Sequence, residues 1–224
     1  MDAPFIQQNS GQRVLVVTSV AAEREAVLRG LTNAEGFDVL VAGVGPAAAA
    51  ASTAIALASD IYALVINVGI AGGFVGRADV GSLVVADEIV AADLGAQTPD
   101  GFISVDELGF GSARVPVDLV LAKQLAAVLN EAGLLVTTGA VLSVSTVTGT
   151  AATAAELSAR IPGAAAEAME GYGVAIAAQQ SGVPVLELRA ISNPVGPRDR
   201  TAWRMKEALQ ALQTASSLLP EVVR

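Results

Sequence analysis

The strongest constraint on the fold is an alternation that runs the length of the chain: short apolar runs suited to buried strands, each followed by a stretch of helical length. Arg13-Val14-Leu15-Val16-Val17-Thr18 reads as a first buried strand, and residues 21–31 as a helix with Glu23 and Glu25 in its first turn, where the helix dipole favours acids. Strands are predicted at 37–42, 63–68, 82–91, 138–148 and 185–191. Helices are predicted at 47–58, 118–132 with Asp118 as N-cap, 150–160, 171–181 and 199–219, the last ended by Pro220. Between 92 and 116 the pattern weakens into Gly, Ser, Asp and Pro with isolated Phe102 and Phe110, an irregular segment of the kind that forms lids. Strands alternating with helices predict an α/β fold, a three-layer α/β/α sandwich around a central mixed, mainly parallel twisted sheet.

Composition narrows the chemistry. The 224 residues suffice for one large domain, predicted over 13–224 because no linker, repeat or composition break interrupts it. Residues 1–12 are polar without a basic leader region, and read as a loose tail rather than a secretory signal, which makes the cytoplasm the default location. Although 53% of residues are hydrophobic, no apolar run reaches the ~18 residues of a membrane span. The chain holds no cysteine and no histidine. Disulfides and catalytic dyads built on either residue are therefore excluded, and transition metals lose their usual ligands. Acid–base work falls to Asp, Glu, Lys, Tyr or water. The sequence calls for no cofactor and no metal. A net charge of −9 speaks against nucleic acid as a partner.

Several residues stand out against this background. Gly43-x-Gly45 follows a strand like half of a dinucleotide fingerprint, but the third glycine is missing, and a tight strand-to-helix turn explains it as well. Gly69-Ile70-Ala71-Gly72-Gly73 is expected as a glycine turn at a strand's carboxyl end, where open α/β sheets bind ligands. Glu25 follows the first strand and points to the same crevice or stands as a solvated first-turn acid, with Glu23 as its competitor. Met169-Glu170-Gly171 joins a side chain able to pack on a sugar face to a carboxylate able to accept from its hydroxyls. Asn193, extended because it precedes Pro194, carries an amide suited to a purine edge. If the strand stays regular, Arg189 shares a face with Asn193 and takes a carboxylate partner, for which Glu25 is available. A carboxylate and an amide at the mouth of one sheet point to a nucleoside-cleaving enzyme acting on a small-molecule nucleoside.

At these motifs the chain resembles the nucleoside phosphorylase and nucleosidase superfamily, over about residues 13–219. Asn67-Val68-Gly69-Ile70-Ala71-Gly72-Gly73 resembles the family's Asn-Thr-Gly-Ser-Ala-Gly-Gly turn. Ala168-Met169-Glu170-Gly171 resembles its Glu-Met-Glu ribose motif, and Arg189-Ala190-Ile191-Ser192-Asn193 its Arg-Ala-Ile-Ser-Asp purine motif. Within the superfamily the runs from Glu167 to Ala175 and from Ser192 to Asp199 look most like the futalosine hydrolase branch, whose members remove hypoxanthine from futalosine in a route to menaquinone. The resemblance implies that Glu25 activates water, Glu170 takes the ribose hydroxyls with Met169 against the sugar, and Asn193 contacts the purine. It also implies that Val147 and Thr148 line the base pocket, partly through main chain, and that Gly69, Ile70 and Arg189 belong to the site. It implies a homo-oligomer, a dimer or larger.

Two departures from the family pattern bear on substrate. Asn193 stands where adenine-specific members carry Asp, and a neutral amide suits a 6-oxopurine. Asn67 and Ile70 stand where phosphorylases place Arg and Ser on phosphate, which favours water as the nucleophile. Arg114, Arg198, Arg200 and Arg204 are candidates for the aryl carboxylate of futalosine, and each also reads as a surface charge. Alternatives that stay open at this point are a methylthioadenosine-type nucleosidase, a purine nucleoside phosphorylase, a nucleoside-binding protein without catalysis, and a dinucleotide-binding dehydrogenase.

Overall fold

A computed structural model describes residues 13–223; the predicted tail, 1–12, lies outside the described residues. The chain runs β1 (Arg13–Thr18), α1 (Ala21–Gly30), β2 (Phe37–Val41), α2 (Pro46–Ser59), β3 (Tyr62–Gly73) and β4 (Leu83–Ala91). After β5 (Gly95–Thr98), β6 (Gly101–Ser104) and β7 (Arg114–Pro116) come α3 (Leu119–Glu131), β8 (Val136–Ser143), α4 (Ala151–Arg160), β9 (Ala164–Ala168) and α5 (Gly171–Gln180). The chain closes with β10 (Val185–Pro194), a 3-10 turn (Arg200–Ala202), α6 (Met205–Ser216) and α7 (Leu219–Val222). Among the described residues, no helix is long and apolar enough to cross a membrane.

The sheet is mixed and mainly parallel, as predicted. β1 pairs in parallel with β2 and β3, β3 with β10, β4 with β8, and β8 with β9; β10–β4, β4–β7 and β3–β9 are antiparallel. These pairings close a circuit, β3–β10–β4–β8–β9 and back to β3. The closing contact is Gly72 opposite Glu167 and Gly73 opposite Ala166. The sheet therefore curls on itself where the carboxyl ends of β3 and β9 meet, and β1 and β2 extend it along the first half of β3.

Several boundaries differ from the sequence-based expectation. The glycine run 69–73 is not a turn but the continuation of β3, because β10 and β9 both pair with it; glycine is needed at 73 because a Cβ there would lie 2.2 Å from Ala78 O and 2.8 Å from Ile191 Cγ2. β8 ends at Ser143, and the rest of the predicted strand, through Thr148, is a loop into α4. Part of the irregular 92–116 segment is ordered as the β5–β6 hairpin and β7. The predicted closing helix breaks at Trp203, and Pro220 opens the short α7 rather than ending a helix, consistent with proline's fit to a first helical turn. β9 is an alanine strand that its residues' weak β propensity conceals.

Helices dock closely through small residues. On α3, Asp118 caps the helix by accepting from Val120 N and Leu121 N, and Ala122, Leu125, Ala126 and Leu129 bury one face. On α5, a Cβ added at Gly173 would lie 2.1 Å from the carbonyl oxygen of Pro46, at the start of α2. Gly173→Ala should therefore pry α5 from α2 and lower the unfolding free energy by about 1–3 kcal/mol. Urea denaturation of the two proteins measures it, and an unchanged midpoint would contradict the contact.

Candidate active site

The first carboxylate of the site is Glu23. At the third position of α1 its side chain folds back over the helix start. Its Oε2 accepts from Ser19 N (2.9 Å), Ser19 Oγ (2.8 Å) and Val20 N (3.3 Å). Its Oε1 accepts from Ile70 N at 2.9 Å, tying α1 to the glycine-rich end of β3. Glu23 is 2% exposed. Glu25, the residue favoured from sequence, is exposed instead. Two helical residues turn the side chain by about 200°, so a helix that buries Glu23 with Ala26 and Val27 must turn Glu25 to solvent.

Arg189 sits at the centre. It is fully buried on β10, where residues 187 and 189 share one face of the strand. Arg189 Nε donates to Glu187 Oε1 at 2.7 Å, and Nη2 lies 2.7 Å from the same oxygen. Nη2 is also 3.7 Å from Glu170 Oε2. Burial pushes the Glu187 carboxyl up from the ordinary range against the pull of Arg189, and the surrounding carboxylates hold the arginine charged. Asn67 Nδ2 donates to Glu187 Oε1 at 3.1 Å, so one of its amide hydrogens is committed inside the core. The partner expected at Glu25 is thus supplied by Glu187 and Glu170. Gly69 lets this cluster close: a methyl there would lie 2.6 Å from Glu23 Oε1 and 2.7 Å from Arg189 Nη1.

Glu170 is 6% exposed at the start of α5. Its Oε1 accepts from Gly45 N (3.2 Å) and its Oε2 from Met169 N (3.3 Å). The Gly43-Val44-Gly45-Pro46 turn thereby acquires a task other than nucleotide binding: Gly43 and Gly45 take φ of +91° and +90°, and the second amide is aimed at Glu170.

Asn193 lies further along β10, beyond a register shift between Ile191 and Asn193. Arg189 pairs with Gly69, but Asn193 pairs with Gly72 rather than Gly73, so the two side chains do not share a face as a regular strand would require. Ser192 Oγ donates to Asn193 Oδ1 at 2.7 Å, which leaves Nδ2 as the outward donor of the amide; one of its hydrogens goes to Pro194 O at 3.0 Å.

Val147 and Thr148 occupy the loop between β8 and α4. Val147 is 38% exposed, whereas Thr148 is buried and spends both its N–H and its hydroxyl on Glu167. The Phe102 ring is stacked by Arg160 at 3.9 Å, and Phe110 is exposed. Of the four candidate arginines, Arg114 pairs with Glu88 and Arg204 with Glu207, while Arg198 and Arg200 lie against Trp203.

Contacts thus join Glu23, Gly69, Ile70, Arg189, Glu170 and Met169 in one cluster, with Asn193 two residue pairs further along β3. Three carboxylates surround one guanidinium, so the cluster carries an excess of negative charge fixed by main-chain donors. Sequence reasoning preferred Glu25 over Glu23, missed Glu187, and counted Glu167 in the motif before Glu170 without giving it a role. Glu187 had a signal, since Leu186-Glu187-Leu188-Arg189 puts opposite charges two apart on an apolar strand; Glu167 had only its isolation among alanines.

Comparison with known proteins gives a consistent neighbourhood. The phosphorylase superfamily profile matches residues 11–224. A futalosine hydrolase of Streptomyces coelicolor is 54% identical, over 94% of this chain and 96% of its own. One of Acidothermus cellulolyticus is 50% identical, over 92% and 89%. The solved 5′-methylthioadenosine/S-adenosylhomocysteine nucleosidase of Neisseria meningitidis, in complex with methylthio-immucillin-A, superposes with a TM-score of 0.79 at 20% identity, over 95% and 98% of the two chains; this likeness bears on fold alone.

Arg189→Met should strip the buried carboxylates of their counter-ion and lower the unfolding free energy by about 3–5 kcal/mol, whereas Glu25→Gln should leave the urea midpoint in place. Equal midpoints for both variants would contradict the cluster.

Proposed function

The chain belongs to the phosphorylase superfamily, and from that footing we propose that it hydrolyses the N-glycosidic bond of futalosine, releasing hypoxanthine and dehypoxanthine futalosine on a route to menaquinone. The observation that carries hydrolysis is the carboxylate cluster around Arg189; identity of 54% and 50% to curated futalosine hydrolases supplies the substrate.

Breaking the bond between C1′ and N9 builds positive charge on the ribose and negative charge on the base. A buried cluster with more carboxylates than cations favours the first and repels a phosphate nucleophile. The apolar Ile70 supports the same choice, since its side chain has no donor to offer an anion, and one Asn67 amide hydrogen is already committed to Glu187. In the proposed reaction Glu170 accepts from the 2′- and 3′-hydroxyls, with Met169 against the sugar. Glu23 holds water and takes its proton as the oxygen bonds C1′. Asn193, turned to the other face of β10 beyond the bulge but at the same carboxyl end of the sheet, has its amide oriented by Ser192 and donates to the departing base, which leaves with the C1′–N9 electron pair and is then protonated. Gly69 and Ile70 form the wall between water and Arg189, and Val147 covers the base. Arg198 and Arg200, without a carboxylate partner among the described residues, are the better placed of the four arginines for the aryl carboxylate. Self-association into a dimer or larger assembly belongs to the proposal as well.

The deciding assay incubates the purified protein with futalosine, inosine and methylthioadenosine, with and without phosphate, and follows free base by chromatography. Hypoxanthine should appear from futalosine at a rate independent of phosphate; a requirement for phosphate would overturn hydrolysis. Glu23→Gln and Glu170→Gln should each lower kcat by roughly 100- to 1,000-fold at an unchanged far-UV spectrum, and Glu25→Gln should leave turnover at the wild-type level. Activity in Glu23→Gln comparable to wild type would remove that residue from the reaction.

A further inference from the structure

Glu167 is a buried carboxylate that the reaction above does not use. It is the lone acid of β9, otherwise alanine, and only 5% exposed. Both of its oxygens are held by one residue: Thr148 N donates to Oε1 at 2.9 Å, and Thr148 Oγ1 donates to Oε2. Burial raises its pKa above the ordinary carboxylate range against the pull of these two donors. A second carboxylate, Asp93, accepts from Ser145 N at 2.6 Å. The loop from β8 to α4 is thus anchored at Ser145 and at Thr148, on either side of the exposed Val147.

Strand register relates this carboxylate to Asn193. Gly72 pairs with Glu167 on β9 and with Asn193 on β10. Directly paired residues leave a sheet on the same face, and two strand spacings separate the outer pair by about 10 Å. A Cβ on Gly72 would sit 3.3 Å from Asn193 Nδ2, so Asn193 does turn to that face. Ala168, one residue on, faces the other way; a shift of one position in β9 would take the carboxylate off the Asn193 side altogether.

The consequence is chemical. A 6-oxopurine presents N1–H, a donor, at its six-membered ring, whereas a 6-aminopurine presents a bare N1, an acceptor. In this loop the Ser145 N–H is taken by Asp93 and the Thr148 N–H by Glu167, so neither is left for a bare N1. What the loop then offers at that edge is an acceptor, the remaining lone pairs of the carboxylate. We propose that Glu167 is a base-contacting specificity residue, which accepts from N1–H of a 6-oxopurine and rejects 6-aminopurines, while Thr148 holds it in place and Asn193 donates to the opposite edge. This role presupposes the futalosine reading and names the group that would set its base preference.

The test compares kcat/KM for futalosine and for its 6-amino counterpart in the wild-type protein and in Glu167→Gln, whose amide donates where the carboxylate accepts. The oxo-to-amino ratio should fall by about 10- to 100-fold. An equal loss on both substrates, or no change in the ratio, would reduce Glu167 to a loop support and overturn the proposal. A second measurement needs no variant: the wild-type protein should bind hypoxanthine about tenfold or more tightly than 1-deazahypoxanthine, which keeps the shape but has carbon in place of N1. Equal affinity for the two overturns the proposal even where Glu167→Gln fails to fold. Absence of futalosine turnover by the wild-type protein would instead sink the substrate assignment, and the comparison of the two free bases would still decide the role of Glu167.

Discussion

One buried guanidinium organises this molecule. Arg189 has no solvent to share its charge with, so its environment must supply anions, and the fold brings three from separate parts of the chain: Glu187 from its own strand, Glu170 from the start of α5, and Glu23 from the start of α1. A buried charge with incomplete partners is among the costlier things a core can contain. Glu187 supplies the direct hydrogen bond; Glu170 and Glu23 then stand near the same cation while their remaining oxygen valences are met by main-chain amides of Gly45, Met169, Ser19, Val20 and Ile70. Glu187 Oε2 and Arg189 Nη1 are left without a hydrogen-bond partner at the centre, and the cluster stays net anionic toward a bound sugar.

Close approach is what makes such a cluster possible, and missing side chains are what permit it. Gly69 has no room for a methyl beside Glu23 and Arg189, and at Gly171 a Cβ would meet Glu187 Oε2 at 2.3 Å. The same device brings α5 onto α2 at Gly173 and admits the Asn193 amide above Gly72. Because α5 carries Glu170 and α2 follows the turn that donates to it, the packing of two helices and the aim of one carboxylate are the same event. The closed circuit of strands adds the last requirement, since only the meeting of β3 with β9 sets Glu167 and Thr148 across from Asn193.

Much of this was legible in the residues, and the failures have physical causes. The alternation of apolar strands and helices located β1, β2, β4, α2, α3, α4 and α5 to within a few residues, because burial of a two-sided sheet leaves a strong local pattern. The glycine run 69–73 was misread as a turn because glycine's freedom serves a close-packed strand as readily as a bend. The choice between Glu23 and Glu25 turned on helix phase, and a first-turn acid is equally at home buried at a cap or solvated. The regular face assumed for Arg189 and Asn193 failed at a single extra residue, and a bulge of that kind has no signature in an Asn-Pro sequence. Glu167 had no role to show in the sequence because its partner, Thr148, sits 19 residues away on a loop that the sequence presented as strand.

What the sequence determined by itself was the inventory and the class: an α/β fold, acid–base chemistry without histidine or cysteine, a net charge of −9, and the paired motifs around Glu170 and Asn193. Local chemistry and periodicity are properties of neighbours in the chain, so they can be read there. Only the tertiary structure decided which carboxylate faces Arg189, which amides are already spent, and which face Asn193 occupies, because each of these depends on helix phase, strand register and the meeting of segments distant in the chain.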